Sequence, residues 1–189
     1  MSLDLSALED GELAALSLSG REAAYAEIMR RHRDGLYRLV LGNIADPDEA
    51  LDLVQESFVA AHLALARYDA TRSMRGWLST IALNKCRDWR RRRAVRRLFA
   101  FALPLDARST EVPEDRALPD RQAADRAELR RTAAAIARLP DALREPLVLC
   151  TVEDMSQAET ASVLGITEKA VETRVRRARA KLAEHLQRG

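Results

Sequence analysis

Apolar residues recur at three- and four-residue spacing along most of this 189-residue chain, and the pattern fails only between 100 and 124. That period belongs to the α-helix, in which residues three and four apart share a face. With only 7 glycines and 6 prolines to interrupt it, the expected fold is all-α with almost no strand. Where the period fails, prolines stand at 104, 113 and 119 and the charge turns acidic, the composition of a mobile linker. The chain is therefore expected to hold two independently folded helical domains, residues 1–97 and 125–189, joined by a linker over 98–124.

Local signals place the helices. The first runs from about Asp4 to Leu18, before Gly20, and the second from Arg21 to about Ile44. Asp46 caps the third, with Pro47 at its first position and Asp48 and Glu49 beside its positive end; it should reach about Arg67. Ser73 caps a fourth that carries Trp77, Ile81 and Trp89 into a run of arginines. In the second domain, a helix from about Arg121 to Arg138 stops at Leu139-Pro140, and another spans Asp141 to about Val152. Ser156 and Glu159 have capping-box spacing, Gly165 supplies a turn, and Thr167 caps a long final helix.

The net charge is only +2, but its distribution is uneven. Basic residues crowd Lys85–Arg97 and Arg174–Lys181, and carboxylates collect at Asp46–Glu56 and Asp106–Asp125. Two basic stretches in a nearly neutral chain suggest two contacts with a polyanion. Cys86 and Cys150 are far apart, with no histidine at ligand spacing, so they read as buried free thiols and no metal or other cofactor is expected. Neither a leader pattern nor a membrane-length apolar run is found, so a cytoplasmic chain without membrane insertion is expected.

A short helix, a glycine turn and a longer basic helix make the helix-turn-helix pattern, whose second helix enters the major groove. On the final helix Val171, Val175, Ala178, Leu182 and Leu186 form an apolar stripe. Opposite lie Lys169, Glu172, Thr173, Arg176 and Arg177, groups able to read base edges. Arg174, Arg179 and Lys181 flank them, placed to grip phosphate. From Thr173 through Ala183 no carboxylate balances these cations, unlike an ordinary solvated face.

On the fourth helix Trp77, Ile81, Asn84, Asp88 and Arg91 share one stripe. A polar ladder beside an aromatic suits opened DNA, because aromatics stack unpaired bases and amides or carboxylates bond their exposed edges. The alternative is that Trp77 and Trp89 are core and that Asp88 pairs with Arg91 or Arg92. On the third helix Leu51, Val54, Phe58, Ala61 and Leu65 form the expected buried face. Asp52 and Glu56 then project among Leu53, Val59 and Leu63, a mixed surface suited to protein docking; a tighter bundle that buries Leu53 and Leu63 is the alternative.

Taken together, these residues resemble the extracytoplasmic-function sigma factors of the sigma-70 family over nearly the whole chain. Asp52-Leu53-Val54-Gln55-Glu56-Ser57-Phe58 looks like the segment that docks on the clamp helices of the polymerase largest subunit, which implies contacts by Asp52, Gln55 and Glu56. Arg67-Tyr68-Asp69, Trp77-Leu78, Ile81-Ala82, Asn84, Asp88 and Arg91, Arg92 and Arg93 are similar to the segment that melts and reads the −10 element. The Ala70–Ser73 loop corresponds to the one that pockets a flipped base. Leu139-Pro140, Arg144-Glu145, Val148-Leu149, Gln157, Gly165, Val171, Arg174, Arg177-Ala178-Arg179 and Leu182 resemble region four, which binds the −35 element. The resemblance implies core RNA polymerase, promoter DNA and an anti-sigma factor as partners. Two positions depart from the pattern: Arg72-Ser73-Met74 stands where many relatives carry glycine, a small residue and an aromatic, and Glu172 where many carry arginine. Competing readings are a sigma mimic that sequesters an anti-sigma factor and a helix-turn-helix regulator with an unrelated input domain. An enzyme is not expected, since no phosphate loop, metal cluster or nucleophile and base pair is present.

Overall fold

A computed structural model describes residues 3–102 and 131–187, and these are helices joined by short turns, with no strand among the described residues. A 3-10 turn at Leu5–Ala7 precedes α1 (Asp10–Leu18), α2 (Glu22–Ile44) and α3 (Pro47–Ala64). A second 3-10 turn at Leu65–Arg67 leads to α4 (Met74–Ala102). Residues 131–137 are helical (α5) and are followed by α6 (Asp141–Thr151), α7 (Gln157–Leu164) and α8 (Glu168–Gln187). The expected linker is helical over residues 98–102, and its remainder, 103–124, lies outside the described residues, as does most of the helix expected from Arg121.

The boundaries follow the chemistry read from the sequence. Asp46 accepts a hydrogen bond from the Glu49 amide at 3.3 Å, and Pro47 opens α3 where a missing N–H costs nothing. Ser73 accepts from the Gly76 amide and Thr167 from that of Ala170. At α7 the capping box is complete: Ser156 Oγ accepts from the Glu159 amide while Glu159 accepts from the Ser156 amide. Gly165 closes α7 at φ +64°, which a Cβ would oppose. The first helix begins six residues later than expected, since Asp4 bonds the Ser6 amide and holds a 3-10 turn in its place.

Helices α1 to α4 enclose a core of Leu13, Ile28, Leu36, Leu39, Val40, Phe58, Leu78, Leu83 and Trp89. One expectation is corrected here. Leu53 is 1% exposed and belongs to this core, whereas Leu51 is open to solvent. The register of α3 is turned because its inner face must meet both α2 and α4. A smaller core of Leu139, Leu147 and Ala178, with Ile136, Leu143, Val175 and Leu182 against it, joins α5, α6 and α8. The larger core also continues across the two units, since Val148, Leu149 and Met155 pack into it. Gly42 permits the approach, as a Cβ there would stand 3.0 Å from Val148 Cγ1.

Ser156→Ala removes one half of the α7 box and is expected to lower unfolding stability by about 1 kcal/mol, read from chemical denaturation, with Ser156→Asp retaining most of it. Burial pushes the Cys86 thiol up to about 12. At pH 8 roughly one such thiol in ten thousand is ionised, so Cys86 is expected to resist iodoacetamide until the chain is denatured, as peptide mapping would show.

Candidate docking and nucleic-acid surfaces

On α3 the side chains of Asp52, Gln55 and Glu56 are exposed on one face, with Val59 at 61% and Leu63 at 81% exposure. Together with Ala60 and Lys85 they line one open depression, and Lys85 Nζ approaches Glu56 at 3.2 Å. Carboxylates interleaved with bare aliphatic groups are thus present as expected, with Val59 and Leu63 in the role and Leu53 removed from it. A second groove lies between α3 and α4, with Glu49, Asp52 and Glu56 along one wall and Arg91, Arg92 and Arg96 along the other.

At its floor Trp89 is buried and donates its indole N–H to Glu49 at 2.7 Å. The Arg93 guanidinium lies 4.9 Å above that ring and 3.5 Å from Asp46. Trp89 is accordingly core, and Arg93 is held on the α3 side, away from Asn84 and Asp88. Such a stacked cation keeps its charge at the surface while its stem covers apolar area.

The loop before α4 is tied at both ends. Tyr68 donates its hydroxyl to the Arg72 carbonyl at 2.6 Å, and one Asp69 oxygen accepts from both the Thr71 amide at 3.0 Å and its hydroxyl at 2.7 Å. Those bonds, the hydroxyl's first, hold the Asp69 carboxyl below its usual range. Trp77 is half-buried with its ring 5.2 Å from that of Tyr68. Ser73 and Trp77 therefore sit at the loop end of α4, whereas Asn84, Asp88 and Arg91 line an open depression further along, with Arg87, Arg90 and Asp141. Asn84 accepts from Arg87 at 2.9 Å, Asp88 pairs with Arg91, and Arg92 lies in a recess with Glu56, Lys85 and Asp88. The polar ladder exists, but Trp77 stands at its edge and Ile81 packs inward.

On α8, Val171 and Ala178 are fully buried and Val175 and Leu182 are half-buried, which leaves the opposite face outward as the stripe demands; the Leu186 side chain lies outside the described residues. Lys169 Nζ meets Glu172 at 2.8 Å, and this bond holds the Glu172 carboxyl below its usual range. Thr173 donates its hydroxyl to the Lys169 carbonyl, so its methyl is the part left to a partner. Arg176, Arg177, Arg179 and Lys181 are exposed, and Arg174 is half-buried.

The sequence reading missed a third polar set that joins α6 to α2 and α4. Arg87 donates to both oxygens of Glu145, at 2.7 and 2.6 Å. Arg144, 1% exposed, donates to Asn43 Oδ1 and the Leu139 carbonyl. Arg144-Glu145 directly before Pro146, Leu147, Val148 and Leu149 was the available signal, because charges set into an apolar helix face need partners. Among the described residues no cluster of His, Cys, Asp and Glu could hold a metal ion, and no helix is long and apolar enough to cross a membrane.

Comparison with known proteins agrees with this geometry. The family model for sigma-70 region 2 matches residues 28–96, and that for sigma-70 region 4 matches residues 129–182. The RNA polymerase sigma factor CnrH of Cupriavidus metallidurans is 40% identical over 176 residues, which cover 92% of each chain. The ECF RNA polymerase sigma factor SigM of Mycobacterium tuberculosis is 35% identical over 94% of this chain and 84% of its own. Among solved structures, CnrH in complex with the cytosolic domain of CnrY aligns with a TM-score of 0.68 at 36% identity, over 94% of this chain and 97% of that one. Matches to region 2 and region 4 in this order, with relatives of this identity over nearly their full length, identify the chain as a member of the extracytoplasmic-function sigma factors of the sigma-70 family.

Proposed function

We propose that this chain binds core RNA polymerase and directs it to promoters, docking through α3, capturing the opened −10 element with the Ala70–Ser73 loop and α4, and anchoring on the −35 duplex with α8. The observation that carries the reading is the presence on one chain of an exposed acidic-apolar face on α3 and two separate arginine-bearing faces on α4 and α8. On α3, Asp52, Gln55 and Glu56 supply polar contacts around Val59 and Leu63, with clamp helices of the polymerase largest subunit as the partner. On α4, Ser73 and Trp77 border the base pocket, Asn84 and Asp88 offer hydrogen-bond partners to an unpaired base, and Arg91 and Arg92 draw in the backbone. Arg93, tied to Asp46 and Trp89, serves the fold as much as the nucleic acid.

On α8, Lys169, Glu172, Thr173, Arg176 and Arg177 face the bases, where the two arginines also reach neighbouring phosphates, and Arg174, Arg179 and Lys181 grip the phosphates alone. The chain performs no reaction of its own, requires no cofactor and works in the cytoplasm, where its polymerase is. CnrH has been solved bound to the cytosolic domain of CnrY, and an anti-sigma partner of that kind fits this chain as well. A sigma mimic would not need exposed cations on both α4 and α8, and a plain helix-turn-helix regulator leaves the α3 face without a task.

Asp52→Ala combined with Glu56→Ala is expected to weaken association with core polymerase about 10- to 100-fold with the helical circular dichroism unchanged; unaltered association would remove α3 as the dock. Binding of the chain to duplex −35 DNA is expected to fall steeply with salt. About five phosphate contacts imply a log-log slope near −4.5, so on the order of 500-fold weaker binding between about 50 and 200 mM. Titration by anisotropy checks this, and a flat response excludes the phosphate grip.

A further inference from the structure

The hydrogen bonds that shape the Ala70–Ser73 loop are local to it. The Tyr68 hydroxyl and the Arg72 carbonyl close it into a small ring, Asp69 and Thr71 brace that ring from within, and Ser73 passes it on to α4 as a cap. Residues 70–73 are all exposed. Such bonds fix the shape of the loop and leave open where it stands against the rest of the domain. The Tyr68 ring against Trp77 ties its base to α4. Its tip rests on the first turn of α1: a Cβ on Gly11 would stand 3.1 Å from Ala70 Cβ and 3.8 Å from the Ala70 carbonyl oxygen.

Helix α1 is the fixed side of this contact. Arg31 of α2 donates to the carbonyls of Leu5, Ser6 and Leu8 and to Asp10, at 2.7 to 3.2 Å, and its Nε donates to Glu27 at 2.9 Å. Every N–H of the guanidinium is thereby used. His32 Nε2 lies 2.9 Å from the other Asp10 oxygen. The turn before α1 and the residue next to Gly11 are thus bolted to α2, and Leu13 and Ala14 behind them are buried. Burial first, then the charges of Asp10 and Asp69, raise the Tyr68 phenol above its usual pKa, so the hydroxyl that closes the loop remains a donor throughout the neutral range.

Glycine weakens a helix, and at position 11 the close approach of Ala70 is what it permits. Carbon atoms are comfortable at about 3.5 Å or more, so a side chain there demands a shift of at least about 0.4 Å. With α1 held by Arg31 and the loop exposed, the loop yields, and its closed ring carries a push at Ala70 on to Arg72 and Ser73. Resting on the assignment of this loop to the −10 base pocket, we propose that Gly11 is a positioning residue for base recognition: α1, bolted to α2 through Asp10 and Arg31, is the platform that sets the distance of the Ala70–Ser73 loop from Trp77. Hydrogen bonds weaken over a few tenths of an ångström, so the discrimination made in the pocket depends on that platform.

The test offers templates randomised over the −10 element to the full chain with core polymerase and sequences those that are opened. Gly11→Val places a stiff branched side chain against Ala70. It is expected to lower the selectivity at one −10 position by about tenfold, with the other −10 positions, association with core polymerase and helical circular dichroism unchanged. Ala70→Gly added to Gly11→Val removes the opposing methyl and is expected to recover most of the lost selectivity. Unaltered selectivity in Gly11→Val, a loss spread evenly over all −10 positions, or a double variant no more selective than Gly11→Val overturns the positioning role.

Nuclear magnetic resonance of the free chain reads the contact apart from promoter recognition. The amide resonances of Arg72 and Ser73 are expected to shift in Gly11→Val and to move back toward their original positions in the double variant; resonances that stay in place overturn the platform. A wild-type chain that selects no base at any −10 position removes the −10 role of the loop and of Gly11 together, while the resonances still decide whether α1 sets the position of the loop.

Discussion

A single buried cation organises the middle of this molecule. Arg144 is almost wholly withdrawn from solvent, and a guanidinium in that position is tolerable only if its donors are met. They are met by the Asn43 amide oxygen, the Leu139 carbonyl just beyond α5, and Asp141 at the start of its own helix. Asn43 is itself fully buried and returns its amide donor to the Leu39 carbonyl, so the pair closes its own hydrogen-bond account across two helices. Around this fixed point Val148 and Leu149 meet α2, and Leu147 turns the other way toward Ala178. One short helix therefore faces two cores, and the positions of α7 and α8 relative to α4 follow from it.

Neighbouring groups feel the same constraint. Arg90 is drawn below its usual pKa, first by burial and then by the Arg144 charge beside it. Glu153 is raised by burial, although Arg38 and Arg75 oppose the shift. Arg87 moves the other way because the Glu145 carboxylate accepts two of its hydrogen bonds. Each of these groups is ionic and partly desolvated, which distinguishes the joint from the dry interior of α1 to α4.

Much of the fold was legible because it is encoded locally. Asp46-Pro47, Ser73, Ser156 with Glu159, Gly165 and Thr167 each act within one helical turn, and all of them cap or close the helix expected of them. The faces of α8 were legible for a related reason, since a narrow apolar stripe admits only one inward orientation. On α3 the apolar residues nearly encircle the helix, so periodicity alone could not decide between Leu51 and Leu53; contact with two neighbouring helices decided it. Trp89 was ambiguous until Glu49 and Asp46, forty and more residues earlier, were seen to frame it with Arg93. The Arg87–Glu145 and Arg144–Asn43 contacts join residues 58 and 101 positions apart, and no local pattern announces such a pairing.

Helix α4 runs unbroken for 29 residues, a rod of about 43 Å at the usual rise. Along it are mounted in turn the loop anchor at Ser73, the seat of α7 at Gly76 and Thr80, the grip on Glu145 at Arg87, and the arginine run beyond Trp89. With neither proline nor an internal glycine past its first turn, the rod has no point at which to flex sharply. The arginine run and the loop anchor are therefore carried on one continuous helix, so the spacing between them is set by its rise alone.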